Sequence, residues 1–163
     1  MKTLLLMRHA KSSWANEGTP DFQRPLNNRG ERDAPRIGAW MQENGHCPEV
    51  LFSSTSTRTR ETAALFLPEL RPAPSVEYFD DLYHADVPTL TRVIQKADSQ
   101  IESLMVLAHN PGMEQLISSL KGKFEELPTS ALAVFQLDIL GWDTFSEGSK
   151  AMLLGYVTPH DLA

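Results

Sequence analysis

Short apolar runs that end in polar residues recur three times along the chain, and each is followed by a segment in which apolar residues have helical spacing. The three units are Leu4–Met7, Glu49–Ser54 and Leu104–Ala108. Brief, nearly continuous apolar runs are typical of strands that a parallel sheet buries on both faces. The alternation of such strands with helices predicts an α/β fold.

Four amphipathic segments follow strands and predict helices. They cover about residues 28–44, about 57–66, a segment that Asp86 caps, and about 113–120. Asn27 or Asn28 is suited to cap the first helix, and Gly45 is suited to end it. Pro35 departs from the helical pattern, so it predicts either a kink or a later start of that helix.

Two apolar segments near the end of the chain, 131–137 and 151–157, are joined by a turn around Gly141 and Gly148 without a helix. Strands joined in this way can pair antiparallel, so the sheet is expected to be mixed. A shorter strand is expected at 76–79.

Length and charge restrict the class of protein. The 163 residues fit one domain, 1–163, and the net charge of −6 argues against a nucleic-acid or anionic-membrane partner. The single cysteine, Cys47, cannot form an internal disulfide, which fits a reducing compartment. The apolar run before Arg8 is too short for a signal peptide or a membrane span. We therefore expect a cytoplasmic protein.

Cationic and imidazole side chains follow the three strand units. Arg8 and His9 come directly after the first, Arg58 lies in the first turn of the helix after the second, and His109 comes directly after the third. Parallel strands end at the same edge of a sheet, so we expect these four side chains to converge. Such a concentration of positive charge favours a dianion such as a phosphoryl group, and neutral imidazole is a usable nucleophile.

Each of these residues also has an ordinary structural explanation. Arg58 can pair with Glu61 on its own helix, and His109 can form hydrogen bonds at its strand end. Together these explanations are weaker, because they must hold independently at equivalent places. A cysteine phosphatase fits the sequence poorly, since the sixth position after Cys47 is Ser53 rather than arginine. The histidines show no spacing typical of metal ligands, so no metal site is expected.

Three segments, Leu6–Ala10, Ser53–Ala63 and Ala108–Gly112, together resemble the catalytic motifs of the histidine phosphatase superfamily, also called phosphoglycerate-mutase-like. Four others resemble its SixA-type phosphohistidine phosphatase branch: Lys11–Trp14, Arg24–Asn27, Asp81–Ala85 and Pro128–Ala133. The resemblance covers nearly the whole chain. It implies a three-layer α/β/α sandwich with a mainly parallel, mixed central sheet.

The resemblance also implies roles for individual residues. His9 is the nucleophile that takes the phosphoryl group, and Arg8, Arg58 and His109 form the pocket that holds it. Cationic groups can stabilise the loose transition state, so the mechanism needs neither a metal ion nor a cofactor. His9 must attack as neutral imidazole, and its other ring nitrogen needs an acceptor such as a backbone carbonyl. The family motif has glycine at the position of Ala10.

Lesser roles are expected for residues near these motifs. Additional hydrogen-bond donors to the phosphoryl group are expected from Lys11, Ser12 and Asn110. Asp81 is the candidate proton donor, and Asp80 and His84 are further candidates in the same segment. Larger members of the family carry an inserted helical region over the pocket, but the segment between the Arg58 helix and Tyr83 is too short for one.

An open pocket suits a phosphorylated side chain on the surface of another protein. The leading hypothesis is therefore a metal-independent phosphatase that acts through phosphohistidine at His9 on a phosphorylated protein, such as a histidine phosphotransfer domain. One alternative is a phosphatase of small phosphate esters such as sugar phosphates, which would use the same residues. Another is a non-catalytic phosphate-binding module, which His9 disfavours because binding alone needs only the arginines.

Overall fold

The computed structural model describes residues 1–163 and contains ten principal elements joined by loops and short 3₁₀ turns. In chain order they are β1 (Lys2–Arg8), α1 (Asn28–Glu43), β2 (Val50–Ser54), α2 (Thr57–Phe66), β3 (Ser75–Phe79), α3 (Val87–Ile94), β4 (Ser103–Ala108), α4 (Gly112–Lys121), β5 (Leu132–Leu137) and β6 (Ala151–Val157). The α/β fold and the mixed sheet predicted from the sequence are confirmed.

The six strands form one sheet in the order β3-β2-β4-β1-β5-β6. The first four in this order pair in parallel, whereas β5 is antiparallel to β1 and β6 is antiparallel to β5. The carboxyl ends of β2, β4 and β1 therefore lie side by side at one edge of the sheet. That edge is where an open α/β sheet binds its ligands.

Helices cover both faces of the sheet, because successive residues of β1 point to opposite sides. Leu4 and Leu6 belong to an apolar cluster that includes residues of α3 and α4, whereas Leu5 and Met7 belong to a second cluster with residues of α1 and α2. The architecture is thus the expected three-layer sandwich. The structure contains no helix with the length and apolarity needed to cross a membrane.

Side-chain caps set the starts of three helices. Asn27, Ser56 and Asp86 each accept a hydrogen bond from a backbone N–H in the first turn of α1, α2 and α3 respectively. Pro35 lies inside an uninterrupted α1, so the predicted alternative of a later start is wrong. The capped first turn begins the helix before Pro35, and the buried Ala34 holds that part of the helix in place.

Candidate active site

One pocket of about 280 Å³ lies at the carboxyl edge of the parallel strands, and the four residues expected to converge all reach it. Arg8 ends β1 and His9 follows it, Arg58 lies in the first turn of α2, and His109 directly follows β4. The pocket is lined by Arg8, His9, Lys11, Ser12, Trp14, Asp21, Arg24, Arg58, His84, His109, Asn110 and Thr129.

His9 is held in the form that a nucleophile needs. Its Nδ1 lies 2.7 Å from the carbonyl oxygen of Ala10, which can only accept, so Nδ1 carries the proton and Nε2 carries the lone pair. Arg58 Nε donates to this Nε2 over 3.3 Å. Burial lowers the pKa of His9 to about 3, and the positive charges of Arg58, Arg8 and Arg24 act in the same direction. The imidazole is therefore neutral at physiological pH.

Ala10 fits the backbone where the family motif has glycine. A positive φ occurs at only two non-glycine residues of the chain, His84 and Ser130, so Ala10 needs no left-handed conformation. Its N–H donates to Thr62 Oγ1 over 3.0 Å, and its methyl group is buried against Leu26. The alanine is thus compatible with the position that its carbonyl group must take to orient His9.

His109 is a second buried, neutral imidazole. Its Nε2 lies 2.9 Å from Ser54 Oγ, whereas its Nδ1 is buried without a partner in the protein. Burial lowers the pKa of His109 to about 2, and His9 and Arg58 contribute in the same direction. Ser54 Oγ already accepts from Ser56 N, so its own proton can go to Nε2, which leaves a hydrogen on Nδ1. That N–H can donate to a bound anion.

Arg8 has donor capacity that the protein does not use. Its Nη1 donates to the carbonyl oxygen of Leu127 over 3.2 Å, but its Nε is buried without a partner. Burial lowers the pKa of Arg8, yet a guanidinium group stays charged in proteins. A buried donor without a partner is costly, and an anion in the pocket would supply the missing acceptor.

Asp21 is a site residue that sequence reasoning missed. It accepts from Arg58 twice, with Nη1 donating to its carbonyl oxygen over 2.7 Å and Nη2 to Oδ2 over 3.1 Å. Tyr83, His84 and Arg24 also contact its carboxylate. Although burial opposes it, these donors hold the pKa of Asp21 well below its usual range. The one available signal was the long polar loop between β1 and α1, where Asp21 lies.

The residues expected to add donors line the pocket, but they are not equally free. Lys11 has no hydrogen-bond partner in the protein for its side chain, whereas Ser12 Oγ accepts from Arg24 Nη2. Asn110 donates from Nδ2 to the carbonyl oxygen of Leu127 over 2.9 Å, and its Oδ1 accepts from a backbone N–H in the first turn of α4. The Asn110 amide therefore holds the loop in place.

The candidate proton donor Asp81 lies outside the pocket. It is exposed on the 3₁₀ turn Asp80–Leu82 that follows β3, and Asp80 accepts from Thr55 instead. Leu82 is fully buried in this turn, which directs the two carboxylates outward. The following residue pair, Tyr83 and His84, reaches the site instead.

Two guanidinium groups, a neutral imidazole whose Nε2 lone pair faces Arg58, and a second imidazole with an unused donor make the pocket suited to hold a phosphoryl group. Comparison with known proteins agrees. The model of the histidine phosphatase superfamily (branch 1) matches residues 4–110. The chain belongs to this superfamily, and the membership supports a phosphatase activity.

Individual relatives cover nearly the full length of the chain. A protein of Mycobacterium tuberculosis, Rv1276c, is 32% identical over 164 residues, which is 94% of this chain and 99% of that protein. A SixA protein from Agrobacterium tumefaciens is 28% identical, with a TM-score of 0.83 over 97% of this chain and 98% of that one. The protein histidine phosphatase SixA in complex with tungstate shares the fold, with a TM-score of 0.82 at 21% identity over 99% of both chains.

Proposed function

We propose that this protein, acting as the single domain 1–163, is a phosphohistidine phosphatase. In this proposal His9 takes the phosphoryl group from a phosphorylated protein and passes it to water. The observation that carries the proposal is the state of His9. The residue is 6% exposed, its Nδ1 is hydrogen-bonded to the carbonyl oxygen of Ala10, and its Nε2 lone pair lies beside the Arg58 guanidinium.

The reaction has two halves. First, the Nε2 lone pair of His9 bonds to phosphorus while the substrate P–N bond breaks and its electron pair returns to the substrate imidazole. Water then bonds to phosphorus, and the new P–N electron pair returns to His9. Arg8 and Arg58 supply positive charge and His109 an N–H to the phosphoryl oxygens in both halves, without a step through a metal ion.

The surroundings of the pocket support a protein substrate. A volume of about 280 Å³ is small for a binding site. Between α2 and Tyr83 the chain forms only β3 and two short 3₁₀ turns, which leaves the pocket open. Trp14 lies at its rim with 71% of its surface exposed, stacked on the guanidinium of Arg24. An exposed tryptophan is suited to contact a partner protein.

The test is a search for acid-labile phosphate on His9. Wild-type protein and a His9→Ala variant are mixed with a histidine phosphotransfer domain that carries radiolabelled phosphohistidine. We expect transient label on the wild type, no label on the variant, and turnover at least ~10³-fold lower in the variant. A His9→Ala variant with wild-type turnover contradicts the mechanism. Phosphate-sensitive binding without any labelled enzyme indicates a binding module instead.

Small phosphate esters are the second candidate substrates. An ester leaving group needs a proton far more than an imidazole does, and the contact between Asp21 and His84 at the pocket is the observation that favours them. Rates on a panel of sugar phosphates, compared with the rate on the phosphohistidine protein, rank the two substrate classes. A higher kcat/KM for any ester reverses our assignment.

A further inference from the structure

His84 and Asp21 form an imidazole–carboxylate pair at the mouth of the pocket. His84 Nε2 lies 3.0 Å from Asp21 Oδ2, and the two side chains are 49% and 42% exposed. The His84 ring stacks on that of His109, with 5.2 Å between the centroids and 11° between the planes. His84 has a φ of 50°, a conformation that costs a non-glycine residue free energy and persists only where the surrounding structure holds it.

Arg58 determines where the pair lies relative to His9. Its Nε donates to His9 Nε2 over 3.3 Å, and its Nη2 donates to Asp21 Oδ2 over 3.1 Å. Because the guanidinium is planar and rigid, His9 lies against one end of it and the pair against the other. When a phosphoryl group bonded to His9 lies along this guanidinium, His9 is on one side of the phosphorus and the His84–Asp21 pair is on the other. A leaving group or an attacking water opposite His9 lies next to the pair.

His84 Nε2 has a suitable neighbour in both of its protonation states. When it carries a proton, it donates to Asp21 Oδ2 at 3.0 Å. When it does not, its lone pair can accept from Arg58 Nη2, which lies 3.4 Å away. Donors from Tyr83 and Arg24 keep the Asp21 carboxylate ionised throughout. A nitrogen between a fixed acceptor and a fixed donor is suited to give up a proton and take one back.

We propose, on the basis of the function proposed above, that His84 is a catalytic residue that exchanges protons with the leaving group and with water, and that Asp21 positions it. With an ester, protonated His84 gives its proton to the ester oxygen as the P–O bond breaks and the electron pair goes to that oxygen. Neutral His84 then takes a proton from the water whose oxygen bonds to phosphorus, while the P–N electron pair returns to His9. The products are an alcohol and phosphate, and both histidines regain their starting states.

A phosphohistidine substrate uses His84 only in the second half. Its imidazole leaves with the electron pair of the P–N bond and needs no proton. The proton that His84 takes from water passes to the solvent, to which the half-exposed ring has access. Loss of His84 is therefore expected to slow both halves with an alkyl phosphate but only the water step with a phosphoimidazole.

The test uses His84→Asn, because asparagine tolerates a positive φ best among the polar residues. Formation and hydrolysis of phospho-His9 are followed by rapid quench with three donors: phosphoimidazole, 4-nitrophenyl phosphate and ethyl phosphate. We expect near-wild-type phosphorylation by phosphoimidazole, a loss of about 10²-fold with ethyl phosphate, a smaller loss with 4-nitrophenyl phosphate, and phospho-His9 hydrolysis about 10²-fold slower. Phospho-His9 then accumulates in the variant.

Asp21 is tested with two variants, because its loss also affects Arg58. Asp21→Asn is expected to show the same dependence on the leaving group as His84→Asn, and Asp21→Glu to recover part of the rate. Denaturant unfolding shows whether each variant is folded. His160→Asn and Asp138→Asn are matched controls, since both residues are exposed and lie outside the pocket lining. They are expected to match the wild type with all three donors.

The outcomes separate this inference from the proposed function. If wild-type protein forms no phospho-His9 with any donor, the proposed function is wrong and the role of His84 is rejected with it. If the wild type forms phospho-His9 but His84→Asn slows all three donors equally, or hydrolyses phospho-His9 at the wild-type rate, His84 does not exchange these protons. In that case the proposed function still stands.

Discussion

Two buried neutral histidines make the free energy of unfolding fall as the pH drops below neutral. Burial lowers the pKa of His9 to about 3 and that of His109 to about 2, whereas histidines of an unfolded chain titrate near ~6.5. Below ~pH 6.5 the unfolded state therefore binds protons that the folded state does not. Each neutral histidine therefore contributes its full stabilisation above the unfolded-state pKa, and this contribution is lost as the pH falls toward the folded-state pKa.

The size of this loss in the free energy of unfolding depends mainly on the pKa of histidine in the unfolded chain. Between about pH 7 and about pH 5.5, each histidine that stays neutral in the folded state loses about 1.3 kcal/mol of stability. The two together lose about 2.5 kcal/mol, a large part of the roughly 5–15 kcal/mol that stabilises an ordinary domain. Both folded-state pKa values lie well below 5.5, so both histidines stay neutral in the folded state over this whole interval.

Urea unfolding at the two pH values measures this loss in a buffer without phosphate. His109→Gln is expected to lose about 1.3 kcal/mol less than the wild type over the same interval, and His9→Gln is expected to behave alike. His160→Gln is the matched control, because His160 is exposed. Burial also lowers the pKa of His46, so the comparison rests on differences between variants. If His109→Gln shows the full wild-type loss, the argument from burial is refuted.

Three further substitutions test packing, orientation and partner binding. Gly112→Ala places a Cβ 2.0 Å from the carbonyl oxygen of Ala85, so a loss of at least about 2 kcal/mol in the free energy of unfolding is expected from thermal denaturation. Ser54→Ala removes the nearer of the two hydroxyl partners of His109 Nε2, which lies 2.9 Å away whereas Ser56 Oγ lies 3.5 Å away. Stopped-flow measurement of His9 phosphorylation is expected to show a rate about tenfold lower with little change in KM. Trp14→Ala is expected to raise KM about tenfold for a phosphohistidine protein but not for phosphoimidazole, as steady-state kinetics will show.

Matched variants separate each specific effect from a general one. In Gly148→Ala the new Cβ contacts only Ser146 Oγ, at an ordinary distance of 3.7 Å, so this variant is expected to unfold like the wild type. The hydroxyl group of Ser53 donates a hydrogen bond to the carbonyl oxygen of Ser54 rather than to an imidazole, so Ser53→Ala is expected to keep the wild-type phosphorylation rate. Phe124 is 73% exposed outside the pocket, and Phe124→Ala is expected to leave KM unchanged. Equal effects in a test variant and its control contradict the reasoning for that residue.

Local sequence features were sufficient to predict most of the architecture. The apolar runs of β1, β2 and β4 and the caps at Asn27 and Asp86 act over a few residues, so they can be recognised without knowledge of the rest of the chain. The antiparallel pair β5 and β6 was predictable in the same way from the helix-free turn between its strands. Strand order alone then explains why His9 and His109 approach each other, since β1 and β4 are parallel neighbours.

Tertiary structure decided which loop residues enter the site. Asp21 reaches Arg58 and His84 across 37 and 63 positions of the chain, and no periodicity marks such contacts. Asp81 carries the same carboxylate as Asp21 but points outward, because the burial of Leu82 sets the orientation of its turn.

The sequence by itself thus determined the sheet, the helices and the strand ends that carry the arginines and histidines, because buried strands and capped helices are encoded by neighbouring residues. Only the fold determined which ring nitrogen of His9 carries the proton and which charged groups surround the pocket. Those depend on the direction in which polar loops cross the sheet edge, and the packing of distant apolar side chains sets that direction.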